Sequence, residues 1–577
     1  MKRFNRPAVH IAILVITVFI FYAHTFDDGF MFDDYIHYQM IKLYKDSQRG
    51  MNIFYKDGQR GINIFDFVGS PEEVSYYTQL TAVPWWTSPK FRIRYFRPVA
   101  TLSHLIEHSL WEGNAFLYHV QSVLWYAALV IALYWFYRAI SASSAMAFVG
   151  ALIFALEPCH YLNVRWIASR NDLICATFLV VSFISYLRFC KSRIPVYGIL
   201  FTLFYVVALL SKEISFLFPI LVITYDWTRY QRFVEMLRHQ WKVYLSLCII
   251  NMLYLIFYTT YNYGNYWYDR LSLKVYLIEL LKSISLYLMS LFYNVVIAGL
   301  SPHVFSEHWR IITLFVLLLL YLLFLLWRQR GHYPEIVFFL VWMLLPLLFI
   351  VLPPIHDRVL LIPSIGYSYL AALAIYKLGK KKLKLFFIFT GILCPLVINV
   401  VQPREYDAAI NSNYSQLCRA IEEIVVHKTS RDRLFFINFP KVGLAGENYL
   451  YFNLFFAFYY HYPQWKVPVY LLSTFDDRIA IKVIDKHHIR IDHPTRFYFE
   501  TNTEKFFSLG RTFSQGETFT LPEVKITIDE VNEEKVKSIV AEFSKPIDDP
   551  YYYFLFFDEG RWQRWNPREE ENPFSKG

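Results

Sequence analysis

The sequence predicts a polytopic α-helical membrane protein carrying an extracytoplasmic α+β domain at its C-terminal end. Of 577 residues, 56% are hydrophobic and 20% aromatic, and the mean hydropathy is +0.30, too apolar for a soluble chain. Apolar runs of membrane-spanning length, about 17 to 25 residues, recur up to residue 402. Beyond that point the apolar runs shorten to strand length.

The first run, 8–26, follows the basic start Met1-Lys2-Arg3-Phe4-Asn5-Arg6. It is long enough to span and lacks a small-x-small cleavage site, so it reads as a retained anchor. Further runs fall near 116–137, 142–158, 172–189, 195–211, 213–227, 243–260, 310–327, 335–353, 359–377 and 384–401. The basic loops around Arg138, Arg188 to Arg193, Arg229 to Lys242, Arg328 to Arg330 and Lys377 to Lys384 assign the cytoplasmic side. All of them fall inside if 271–300, which carries Lys274, Glu279 and Lys282, lies on or dips into the outer face as an interfacial or re-entrant helix. The expectation is eleven crossings, with twelve if that stretch spans.

Eleven crossings put the N-terminus in the cytoplasm, and the 27–115 loop and the 403–577 domain outside. Within the loop, residues 44–54 are followed by a near copy at 55–65, read as a tolerated insertion without a role. The tail reads as a helix over 405–427, then strands at 434–439, 467–472, 496–500, 525–528 and 552–557. Six scattered cysteines form no CxxC pair, which favours small apolar side chains over disulfides or zinc. His487, His488 and His493 match no ligand spacing and read as surface residues. The net charge of +10 sits largely in short loops, so it reports orientation and not nucleic-acid binding.

Four polar constellations border the spans on the predicted outer face. They are Asp27-Asp28 with Asp33-Asp34; Arg97 with His104 and His108; Glu157 and His160 through Arg165 to Arg170 and Asp172; and Lys212-Glu213 with His356-Asp357-Arg358. Four carboxylates at a bilayer mouth are costly unless they serve a purpose. A carboxylate can accept the proton of an attacking hydroxyl, and a second acidic neighbour raises its proton affinity. Cationic groups can hold a phosphate and offset the charge that builds as it leaves. Singly, each group has a plainer reading: topology anchor, helix cap, headgroup contact, ion pair or core histidine. Their convergence on one face favours a site.

The motifs resemble the GT-C superfamily of polyprenyl-phosphate-sugar-dependent glycosyltransferases. Within it, they are most similar to the branch holding the transmembrane and TPR-repeat O-mannosyltransferases and their bacterial relatives. The family's F-x-x-D-D is like Phe30-Met31-Phe32-Asp33-Asp34. Its R-P-L-x-x-L-S-F and L-W-G-x-N-P-x-x-Y-H resemble Arg97-Pro98-Val99-Ala100-Thr101-Leu102-Ser103-His104 and the stretch from Leu110 to His119. Its H-P-x-H-x-E-x-V-x-W-I-x-x-R-x-D-L-L is like the stretch from Glu157 to Ile174, with Glu157 in place of the first histidine and Leu162 in place of the acid. Leu209-Leu210-Ser211-Lys212-Glu213 is intact, and Asp357-Arg358 to Pro363-Ser364-Ile365-Gly366 resembles E-R-x-x-Y-x-P-S-x-G. The tail replaces the TPR helices.

The resemblance implies an inverting transferase at the outer face of a bacterial inner membrane, moving a sugar from a polyprenyl-phosphate donor to a glycan, lipid or protein acceptor. It implies Asp33 as general base with Asp34 as partner; Arg97, Arg170, Lys212, Glu213 and Arg358 around the donor phosphate; and His160 on donor or acceptor. No metal-ligand set is assigned, and the resemblance leaves a divalent metal open. The competing classes are a lipid-linked-glycan flippase or transporter, which needs polar groups near the midplane, and a non-catalytic membrane scaffold.

Overall fold

The computed structural model describes residues 7–47, 63–230, 232–265, 333–349, 357–376, 381–398, 433–439, 460–461, 468–475, 479–558 and 561–568, with a few positions between 280 and 291. The predicted helix 405–427, the predicted span 310–327 and most of 271–300 lie outside these residues, as does the predicted domain boundary at 402–403.

The chain opens with helix α1 (Pro7–Tyr22), continued by a 3₁₀ turn to Asp27, then α2 (Asp33–Ser47), α3 (Pro71–Gln79) and α4 (Pro98–Trp111). Next come α5 (Ala115–Ser141), α6 (Ser144–Leu156), α7 (Tyr161–Arg165), α8 (Arg170–Ser192), α9 (Pro195–Leu209), α10 (Phe218–Tyr230) and α11 (Phe233–Thr260). Four helices among the described residues are long and apolar enough to cross a membrane: Pro7–Asp27, Ala115–Ser141, Ile167–Ser192 and Phe233–Thr260. A fifth span is formed if α6 and Pro158–Arg165, bent by 55°, are taken together; the bend falls at Pro158, where a helical hydrogen bond is lost.

Of the eleven predicted crossings, four, or five with the bent pair, are met by helices of spanning length among the described residues. The runs near 195–211, 335–353 and 384–401 correspond to apolar helices below spanning length, Pro195–Leu209, Pro334–Leu348 and Lys384–Ile398. The run near 213–227 is split between a 3₁₀ turn and the 13-residue α10. Hydropathy counts apolar residues without registering where the backbone breaks, and Lys212, Pro219 and Pro346 sit at such breaks.

These helices pack on one apolar core running from Leu14 through Tyr137 and Phe183 to Leu370. Close approach is built in at Gly366, where a Cβ would lie 2.3 Å from the Phe339 carbonyl oxygen and 2.8 Å from the Met343 nitrogen. The glycine of that motif thus permits helix contact.

The tail holds two sheets. In one, β6 (Ala480–Val483), β7 (His488–Asp492), β10 (Lys535–Phe543), β9 (Val524–Asn532) and β8 (Thr518–Thr520) lie side by side, all antiparallel. In the other, β12 (Arg561–Trp565) and β11 (Tyr552–Asp558) are antiparallel, and β11, β4 (Arg433–Phe436) and β5 (Val469–Leu471) are parallel. The predicted strand at 496–500 is a connection instead, with Phe499 at φ 64. β10, a central strand, was not among the predicted ones: its burial alternation changes phase at Ser538, with Val536 and Ser538 buried before the register shift and Ile539, Ala541 and Phe543 after it. His493 is buried, its Nδ1 accepting the Thr495 and Arg496 amides at 3.1 and 2.9 Å, so it shapes a turn and is not a surface residue.

The 27–115 loop and the tail share a second core that includes Phe30, Tyr35, Trp85 and Trp86 with Phe435, Tyr470 and Phe499. Backbone contacts stitch them: the Ser88 amide donates to Phe507 O at 2.8 Å and the Val469 amide to Thr81 Oγ1 at 3.0 Å. The loop also forms a small antiparallel sheet of β1 (Asp66–Val68), β2 (Ile93–Arg94) and β3 (Gly264–Asn265).

Candidate active site

The acidic turn is built by Asp34. Its Oδ2 accepts the Met31 amide at 3.0 Å and its Oδ1 the Ala168 amide at 2.7 Å. The first bond closes a tight turn in which Phe32 takes φ 47, a left-handed conformation unfavourable for a bulky side chain. The second ties the turn to the loop ahead of α8. Burial pushes the Asp34 carboxyl up to about 8, against the pull of the two amides. Asp33 occupies the first position of α2 and is half-buried, where the helix N-terminus favours an anion. Nearby, Asp28 pairs with Arg165 at 2.7 Å, and Arg165 also donates to Tyr161 Oη at 2.7 Å.

A cationic group lies along the same loop. Arg358 stacks on the Trp166 ring with its guanidinium carbon 4.3 Å from the centroid, and Phe32 meets that ring edge-on at 5.3 Å. The Arg358 Nε is buried without a hydrogen-bond partner, and among the described residues no carboxylate pairs with it. Lys212 donates to Asp172, whose other oxygen accepts from Ser169 Oγ at 3.2 Å. Burial lowers the Lys212 ammonium, Asp172 opposes this, and the charges of Arg97 and Arg358 lower it further, so the three cations share one neighbourhood.

Arg97 is committed to Glu213, with Nε at 3.0 Å and Nη2 at 2.7 Å from its two oxygens. It lies over the Tyr95 and Phe65 rings at 4.4 and 5.2 Å. Phe65 ends the second copy of the duplicated segment, and Asn63 of that copy donates to Tyr95 O at 2.7 Å. That copy, expected to have no role, supplies part of the seat of Arg97.

Two expected site residues are turned into the protein. Arg170 is fully buried, paired with Glu107, with Nε 3.1 Å from Ser122 Oγ and Nη2 2.7 Å from Tyr118 O. Every one of these bonds ties α8 to α4 and α5. His160 is fully buried too, one ring nitrogen 2.8 Å from Tyr126 Oη and the other 2.7 Å from Ser364 Oγ. Both nitrogens are occupied by the core, so neither reaches the rim. His356 lies outside the described residues.

Sequence reasoning missed Glu107 and the platform role of Trp166. Glu107 had a signal: a carboxylate inside an otherwise apolar helix, one turn from Ser103 and His104, with Ser103 Oγ donating to it at 3.0 Å. Among the described residues no group of three His, Cys, Asp or Glu side chains is disposed to hold a metal ion.

No family model matches the chain. A stretch of 98 residues is 31% identical to the protein O-mannosyl-transferase TMTC2 of Mus musculus, covering 17% of this chain and 12% of that protein. The Homo sapiens TMTC2 is 30% identical over 98 residues, with the same coverage. The protein O-mannosyl-transferase TMTC1 of Mus musculus is 30% identical over 94 residues, 16% of this chain and 10% of that protein. The chain thus matches about an eighth or less of the length of these relatives. The similarity is partial and distant, and the described residues include helices long and apolar enough to cross a membrane.

Proposed function

We propose that this protein is an integral membrane glycosyltransferase that moves a sugar from a polyprenyl-phosphate donor to an acceptor hydroxyl, with inversion, at the outer face of the membrane. The observation that carries the reading is Arg358 on Trp166: a cation without a carboxylate partner among the described residues, joined through the 166–168 loop to the acidic turn.

In this reading Asp33 takes the acceptor's proton as its oxygen attacks the anomeric carbon. The bond from that carbon to the phosphate oxygen breaks, and the polyprenyl phosphate leaves with the electron pair. Arg358 and Lys212, both half-buried, neutralise the phosphate, as partly desolvated cations do more strongly than exposed ones. Arg97 acts with Glu213 as a neighbouring ion pair. Asp34 holds the turn that presents Asp33 and takes no proton from substrate. Arg170 and His160, which resemblance suggested for the donor, serve the scaffold. The tail, sharing a core with the first outer loop, would orient the acceptor.

The test is transfer of labelled sugar from a polyprenyl-phosphate donor by the purified full chain. Asp33→Asn should lower kcat about 10²- to 10⁴-fold while thermal stability stays unchanged. Undiminished transfer by that variant would remove Asp33 as base. Absence of transfer by the unaltered chain with every common polyprenyl-phosphate sugar would sink the reading itself. Mass spectrometry of glycans and glycolipids from a deletion strain would identify the sugar and acceptor.

A further inference from the structure

Two side chains of the tail reach back to the acidic turn. The Tyr460 ring sits among Phe30, Tyr35 and Tyr38, edge-on to each, with centroids 5.4, 5.4 and 5.0 Å away. His461 Nε2 lies 3.2 Å from Tyr35 Oη, across 426 residues of chain. Gly113 leaves room for this contact: a Cβ there would lie 3.3 Å from Tyr38 Oη and 3.4 Å from Tyr460 Oη.

These contacts bracket Asp33. Phe30 precedes it and Tyr35 follows it, and between them Phe32 holds its left-handed φ of 47. A bulky residue keeps such a conformation only where its surroundings over-determine it. On one side the turn is fixed by the Ala168 amide on Asp34 and by Phe32 against Trp166. On the other, Phe30 meets Tyr118 and Tyr460, and Tyr35 meets Tyr460 and His461.

Tyr35 and Tyr38 are three residues apart and share one face of α2, so Tyr460 grips the helix at two points. Asp33, two residues before Tyr35, projects about 200° around the helix from it at roughly 3.6 residues per turn. Tyr35 is buried and Asp33 half-buried. Holding the tyrosine face therefore sets the direction of the carboxylate on the opposite face.

We infer that Tyr460 and His461 are positioning residues, which fix the acidic turn and the rotation of α2 so that Asp33 meets the acceptor hydroxyl. Neither touches substrate. The inference rests on the transferase reading for what Asp33 does, and gives the tail a task separate from orienting the acceptor: it completes the frame of the base.

The test compares the full chain with Tyr460→Leu, His461→Phe, Tyr35→Phe and the double variant Tyr35→Phe, His461→Phe. It reads hydrogen exchange of the amides at 31–38 by mass spectrometry, and kcat and KM for transfer from a polyprenyl-phosphate sugar. Tyr460→Leu should speed exchange at 31–38 and leave β9 and β10 protected. It should lower kcat about 10- to 100-fold, the scale of a misplacement of about 1 Å, with the donor KM unchanged. His461→Phe and Tyr35→Phe should lose alike, and the double variant no more than either, because all three break one hydrogen bond.

Unchanged exchange at 31–38 in Tyr460→Leu, or faster exchange with unchanged kcat, would overturn the inference. If Tyr460→Leu unfolds the tail, the paired phenylalanine variants decide, and additive losses count against it. If the unaltered chain transfers no sugar, the transferase reading fails on its own, and exchange at 31–38 still decides whether the tail holds the turn.

Discussion

Two arginines, Arg170 at the start of α8 and Arg358 stacked on Trp166 in the loop ahead of that helix, occupy opposite environments. Arg170 is closed in: a carboxylate, a hydroxyl and a carbonyl take its donors, and none of its surface is exposed. Arg358 rests on an aromatic face and keeps a buried Nε without a partner. A guanidinium whose donors are spent stabilises helices; one whose donors are unspent can still bind an anion. The difference separates scaffold from candidate site better than burial or residue type does.

The comparison is broken most severely at the closed end. Arg170→Ala leaves Glu107 as an uncompensated buried charge and should cost about 3–5 kcal/mol, read as a large drop in thermal stability. The double variant Arg170→Met, Glu107→Leu should recover most of it, because a buried pair is costly to halve and cheap to replace. If the double variant stays unstable, the pair does more than hold α8 to α4.

The open end should respond in activity instead. Arg358→Ala should reduce transfer about 10²- to 10³-fold, the range for losing one donor to developing charge, with little change in melting temperature. Arg358→Lys should recover only part, since an ammonium neither stacks as flat nor forks on a phosphate. A stability loss as large as that of Arg170→Ala would erase the distinction.

Between these lies Asp34. Asp34→Ala strands the Met31 and Ala168 amides, about 1–3 kcal/mol for each buried donor. It should lower both stability and kcat, whereas Asp33→Asn lowers kcat alone. Equal effects at the two positions would refute the division of labour between base and turn.

The smallest effect concerns pH. Burial holds His37, His104 and His108 below the ordinary imidazole value of 6.5, His108 at about 4. From α2, α4 and the helices packed on them, Lys45, Glu107, Glu112, Arg97 and Arg170 face these rings. The native chain refuses protons that the unfolded chain accepts below pH 6.5, so this stability is complete above 6.5 and is lost as pH falls toward 4. Thermal unfolding at pH 7.5 and 5 should show that fall, and His37→Phe should reduce it. A flat profile would mean the three rings are hydrated.

Particular residues show how far the sequence could be read. The acidic pair and the cations Arg97, Lys212 and Arg358 stand out in the sequence because charge in an apolar chain is conspicuous, and the structure brings those three cations into one neighbourhood. The same signal did not show that Arg170 and His160 are buried and hydrogen-bonded between helices, since a partner on another helix leaves no local trace. Nor did it show the bend at Pro158 or the break at Lys212-Glu213, because hydropathy does not sense where the backbone turns. In the tail, β10 was missed because a register shift at Ser538 breaks its apolar/polar alternation, leaving Ser538 and Ile539 buried side by side.

The sequence by itself determined that this chain is rich in apolar helices of the kind that enter membranes and that sheet follows helix. Composition and periodicity are enough for that, because water and lipid sort side chains residue by residue. Tertiary structure alone decided which carboxylate holds the turn, which arginine is spent on Glu107, and that the 27–115 loop and the tail share a core. Those outcomes depend on partners tens to hundreds of residues apart, and only folding brings such partners within hydrogen-bonding distance.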